Sequence, residues 1–123
     1  MACIRDYFKS GIVNTVDQML SRINNDYREG YEFGKAESKE VMRKTYAFLT
    51  VLKQGLDYYQ KHQHFDNKYM LYDTAVEFKQ YMNGCFFQQT AEMSKAGMIG
   101  IMTPYMVHTL NNLVEFCELV YEN

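Results

Sequence analysis

From Ile12 the apolar positions Ile12, Val16, Met19, Leu20, Ile23 and Tyr27 recur every three or four residues, while Asp17, Gln18, Ser21 and Arg28 take the other side. That spacing lines up one face of a 3.6-residue helix and predicts an amphipathic helix with a single buried stripe. Continuing the same helix upstream would bring Arg5 and Lys9 onto the stripe. Cys3 to Lys9 is therefore read as a separate short helical turn, broken at Ser10-Gly11, with Ile4, Tyr7 and Phe8 closing over one end of the core. The stretch Glu29 to Gly34 holds two glycines and reads as the first connection, with Gly30 as a C-cap.

A second helix is predicted from about Ser38 to about His62, with Met42, Thr45, Tyr46, Leu49, Leu52 and Leu56 inward. A third begins near Asp66 or Asn67, either of which can accept the free N–H groups of a first turn. Its inner face is Leu71, Ala75, Phe78, Met82 and Cys85. Asn83-Gly84 can end it, yet Gln89 and Met93 keep its phase, so its end stays open. The only proline fixes a helical φ and lacks the N–H that a first turn cannot pair, so Thr103-Pro104 reads as N-cap and first residue of a last helix. Met106, Val107, Leu110, Leu113, Val114, Cys117 and Tyr121 face its core side, with His108, Asn111, Asn112, Glu115, Leu119 and Glu122 outside. No repeat or linker interrupts the chain. The pattern predicts an all-α, up-and-down helical bundle of four main helices plus the N-terminal turn, one domain over residues 1–123.

Two features depart from a minimal bundle, in which each helix needs one buried stripe and an outer charged face. Helices two and three carry second apolar faces: Ala47, Val51 and Tyr58 on one, Tyr69, Tyr72 and Val76 on the other, joined by Phe87 if the third helix continues. The N-terminal turn, a second copy of the chain or a different protein could cover them. For a homodimer the expected oligomer interface is Val51, Tyr58, Tyr69, Tyr72 and Val76. The second departure is the connection KAGMIGIMTP, which is apolar where loops are normally polar. Met98, Ile99, Ile101 and Met102 either cap one end of the bundle or, with Tyr105 and Leu119, form the expected partner-binding surface. No Lys or Arg follows Lys95 while Glu115, Glu118 and Glu122 do, so a partner with apolar and basic groups would fit there.

Composition narrows the classes. At 123 residues the chain can bury one core without disulfides or metal. A net charge of −2 provides no field toward nucleic acid or an acidic membrane, so neither is an expected partner. Aromatics reach 15%, all Tyr and Phe, which suits interfaces where a ring is buried and a hydroxyl stays wet. Three cysteines without a CxxC pattern, no apolar stretch of membrane-spanning length and no signal-peptide core point to a cytoplasmic, soluble protein.

Assembled chemistry is missing from the pattern. His62-Gln63-His64 is the only histidine pair, but residues two apart on a helix point to different sides, and Asp66 is the one obvious further ligand. A solvated helix end explains it better. The residues three before the histidines are Tyr59, Lys61 and Tyr105, so no Glu-x-x-His di-iron motif exists. Zinc-protease, phosphate-loop and dinucleotide fingerprints are absent as well. Cys3, Cys85 and Cys117 read as inert core thiols. Lys35, Lys39, Arg43 and Lys44 are interleaved with Glu37 and Glu40 and read as a solvated face. The expectation is a non-enzymatic interaction module without metal or cofactor, an adaptor, chaperone or inhibitor that docks on another protein. The alternative is a ligand-binding bundle that holds a small molecule or nucleotide between helices.

Overall fold

The computed structural model describes residues 3–28, 36–83 and 104–122. The connection at 29–34, the third helix beyond Asn83, and the residues Met98, Ile99, Ile101 and Met102 lie outside them. Five helices make up the described chain: α1 (Ile4–Lys9), α2 (Ile12–Arg28), α3 (Ala36–His62), α4 (Lys68–Tyr81) and α5 (Pro104–Glu122). The fold is an all-α helical bundle, with no strand among the described residues.

Local chemistry sets the breaks. Gly11 has φ +88°, a left-handed conformation that a side chain would strain, and it separates α1 from α2. Its carbonyl then accepts from both the N–H and the hydroxyl of Thr15 at 3.0 and 3.1 Å, starting α2 directly. In α1 the Asp6 carboxylate accepts the Cys3 N–H at 3.1 Å. That bond holds the Asp6 carboxyl below its ordinary range. At the start of α4, Asn67 Oδ1 accepts the Met70 N–H at 3.0 Å, the N-cap the sequence offered. Asn67→Ala is expected to cost about 1 kcal/mol in urea unfolding, and Asn67→Asp to recover most of it.

The long helices α2 and α3, α3 and α4, and α4 and α5 pack antiparallel. Asp17, early in α2, meets Lys53, late in α3, at 2.7 Å, and Lys53 also reaches Asp57 at 3.1 Å. Phe48 of α3 stacks on Phe78 of α4 with centroids 4.7 Å apart. Tyr72, near the start of α4, stacks on Tyr121 at the end of α5. The helix α1 packs on both α2 and α5, bridging the first and last long helices. The three-way ion pair is partly solvated, so it guides register more than it adds stability.

The core draws Val16 and Ile23 from α2, Met42, Leu49, Leu52 and Leu56 from α3, Leu71 and Ala75 from α4, and Leu110, Leu113 and Cys117 from α5. Ile4, Tyr7 and Phe8 of α1 close over one end as expected, each half-buried against it. Their partners are more specific than a generic lid. Tyr7 lies 5.1 Å from the Phe116 ring, and Phe8 stacks on Tyr59 at 4.8 Å and meets Phe116 edge-on at 6.1 Å.

Two expected core residues are exposed. Tyr46 is 38% and Tyr121 39% accessible. Tyr121 sits in the last turn of α5 and leans on the half-buried Tyr72 ring of α4. Phe48, Phe65, Phe116 and Val120, which the periodicity did not single out, are buried instead. For Phe116 the cause is α1, which covers a side of α5 that a simple four-helix layout leaves to solvent.

Candidate docking surface at the α3, α4 and α5 end

The antiparallel order brings the last turn of α3, residues 63–67, the first turn of α4 and the last turn of α5 to the same end of the bundle. The helix α3 stops at His62, and Gln63 adopts φ 64° with its N–H donating to the Tyr59 carbonyl at 2.7 Å. This left-handed residue reverses the chain. Both imidazoles consequently lie against one ring, with His62 4.2 Å and His64 5.4 Å from the Tyr58 centroid and 6.2 Å from each other. The expected divergence of the two histidines is corrected by that single turn. Among the described residues no group of three or more His, Cys, Asp or Glu is arranged to hold a metal ion.

Beside Tyr58 runs a groove of about 160 Å³ between α3 and α4, floored by Val51, Gly55 and Leu71 and walled by Tyr58 and Met70, with Asp66 at its rim. Gly55 leaves room for the Leu71 side chain. A Cβ there would lie 3.1 Å from Leu71 Cδ1. The groove is of a size to take one aliphatic side chain.

On the other flank of α4, Tyr72 stacks on Tyr121 at 4.2 Å and Tyr69 meets the same ring edge-on at 5.4 Å. Tyr69 is 69% exposed. The neighbouring Tyr69 and, more weakly, the Asp73 carboxylate push the Tyr121 phenol above its ordinary range. Stacking holds these rings in place before anything binds.

The residues expected as one oligomer interface are thus divided between two surfaces. Val51 and Tyr58 line the groove, whereas Tyr69 and Tyr72 join Tyr121, and half-buried Val76 lies a turn further along α4. Of the expected partner-binding set, Leu119 is half-buried on α5 and Tyr105 occupies its first turn, with a side chain outside the described residues. Met70 and Tyr121 are the surface residues that periodicity missed. Tyr121 shares the spacing of the α5 core residues, and only the packing shows that the Tyr72 and Tyr69 rings cover it in part and leave it 39% accessible.

Elsewhere, a cleft of about 370 Å³ opens where α1, α2 and α5 meet, lined by Tyr7, Ser10, Ile12, Thr15, Asn112 and Leu113 among others. Burial, with Glu115 nearby, pushes the Tyr7 phenol up. Lys44 lies 5.2 Å over the Tyr81 ring. Of the thiols expected in the core, Cys3 is instead exposed at the start of α1, while Cys117 is buried and that burial pushes it up to about 12. Alkylation followed by peptide mass mapping at neutral pH is expected to label Cys3 quickly and Cys117 at least about a hundredfold more slowly. Comparable rates at the two sites would contradict the buried placement of Cys117.

No protein-family model, curated protein or solved structure matches the chain. Among the described residues no helix is long and apolar enough to cross a membrane.

Proposed function

We propose that the protein is a non-enzymatic docking module, an adaptor, chaperone or inhibitor working in the cytoplasm, which grips another protein with the α3, α4 and α5 end of its bundle. One observation carries this reading. Of the large apolar side chains exposed among the described residues, Tyr69, Met70 and Tyr121 gather at this end and only Tyr46 lies elsewhere. Tyrosine and methionine are residues that anchor and adapt to partners, and rings already held by stacking lose little further freedom on binding.

The test is paired capture and unfolding. Tyr69→Asp with Met70→Asp should leave the urea midpoint within about 0.5 kcal/mol of wild type, because both side chains are exposed. The same pair should release the bound partner, which is then identified by mass spectrometry and rebound as a purified protein. Unchanged binding of that partner to the folded double variant would move the docking surface elsewhere. Light scattering separates a different protein from a second copy: a dimer that the same two substitutions dissolve would make the occupant another copy of this chain.

A second reading has its own observation. The cleft at α1, α2 and α5, of about 370 Å³, carries hydroxyl and amide groups beside Ile12 and Leu113, as a small-ligand site would. Native mass spectrometry showing a retained molecule of fixed mass would favour it.

A further inference from the structure

On the α4/α5 flank of the docking end, where the tyrosines lie, the charges lean negative. Asp66 stands at the groove rim, Asp73 acts on Tyr121, and Glu122 directly follows it, all three exposed. Against them stand half-buried Lys68 and, across on the last turn of α3, exposed Lys61 and His62, while Lys79 is taken up by Glu118 at 3.3 Å. The carbonyl end of α5 also terminates here, and its last turn has no basic residue to offset the negative end of the helix dipole. Tyrosine faces add a negative quadrupole to the same place. Carboxylates, helix end and ring faces therefore all favour a cation, and the fold already sets one over such a ring, Lys44 on Tyr81.

Resting on the docking reading, we propose that Tyr69, Tyr72 and Tyr121 form a cation-binding point that receives an arginine side chain of the partner protein, while a neighbouring aliphatic side chain enters the α3/α4 groove. The guanidinium is a better match than an ammonium because it is planar and less strongly hydrated, so it can lie flat on a ring and still donate to the carboxylate of Asp73 or Glu122. The groove and the tyrosines flank the same first turn of α4, so one short segment can reach both. The partner surface is accordingly aliphatic and basic.

Short acetylated, amidated peptides that pair a leucine with an arginine, a lysine or a citrulline provide the probe, titrated into the full chain with the tyrosine ring resonances followed by NMR. Citrulline keeps the planar shape and removes the charge. The arginine peptide should shift Tyr69, Tyr72 and Tyr121 and bind about two- to fivefold more tightly than the citrulline peptide, with lysine between them. Tyr121→Ala should weaken the arginine peptide by a similar factor, and Asp73→Asn should narrow the gap between arginine and citrulline without unfolding the protein. Equal binding of the two peptides, or no shift at these tyrosines, overturns the assignment. The two readings fail separately. Equal binding at the tyrosines removes the cation preference and leaves the docking end in place, whereas a captured partner indifferent to Tyr69→Asp removes the docking end itself.

Discussion

Phe116→Ala is expected to cost about 3–5 kcal/mol, a large part of a small domain's total stability. The Phe116 side chain is fully buried, and three rings close on it: Tyr7 at 5.1 Å, and Phe8 and Phe65 both at 6.1 Å. Those rings come from α1 and from the α3/α4 connection, so removing the phenyl group leaves a cavity that no single neighbour can collapse into. The effect should have a place as well as a size. Amide exchange in α1 is expected to accelerate before the rest of the molecule opens, because the half-buried Tyr7 and Phe8 lose a shared partner. Phe116→Leu retains most of the volume and should cost less than half as much. Equal protection of α1 in wild type and Phe116→Ala would show that α1 is held by something other than this ring.

Gly55→Leu is the second large effect, and its sign comes from one close approach. A Cβ at Gly55 would meet the Leu71 methyls at 3.1 and 3.3 Å, which are the far ends of a flexible side chain. Alanine can be accommodated by a small rotation of Leu71. Its better helix propensity, about 1 kcal/mol over glycine, then roughly offsets the crowding, so Gly55→Ala should leave the urea midpoint nearly unchanged. Leucine puts further carbons between α3 and α4 and is expected to destabilise by about 1–3 kcal/mol while filling the groove beside Val51 and Tyr58. A neutral Gly55→Leu would mean that the two helices do not approach as closely as the Leu71 contact requires.

What could be read from the chain alone was local. The break at Gly11, the cap at Asn67 and the start of α5 at Pro104 each follow from one residue's backbone preference or hydrogen-bonding capacity, and each appears where the sequence puts it. The apolar stripes of α2 and α4 likewise follow from spacing. Positions that depend on which neighbour covers them were not legible. Phe116 is buried because α1 folds across it, and Phe48 because Phe78 stacks on it. Tyr121 keeps a core phase, yet in that last turn the core covers Val120 while Tyr121 packs on the Tyr69 and Tyr72 rings.

The candidate site shows the same division. Tyr58, Tyr69 and Tyr72 stand out in the sequence as aromatics on faces that should be polar, and all three belong to the docking end. Their separation into a groove and a tyrosine cluster depends on α4 lying between α3 and α5, which periodicity does not encode. The convergence of His62 and His64 depends on the left-handed Gln63, a conformation that glutamine's preferences do not announce.

Docking through the aromatic end is tested most directly by covalent mapping in the source cell. A photo-crosslinking amino acid is placed at Tyr69, and in a control at exposed Arg22 on α2. A discrete adduct with another protein from position 69, absent from position 22, is the predicted result. Adducts of equal yield from both positions, or from position 22 alone, would contradict it.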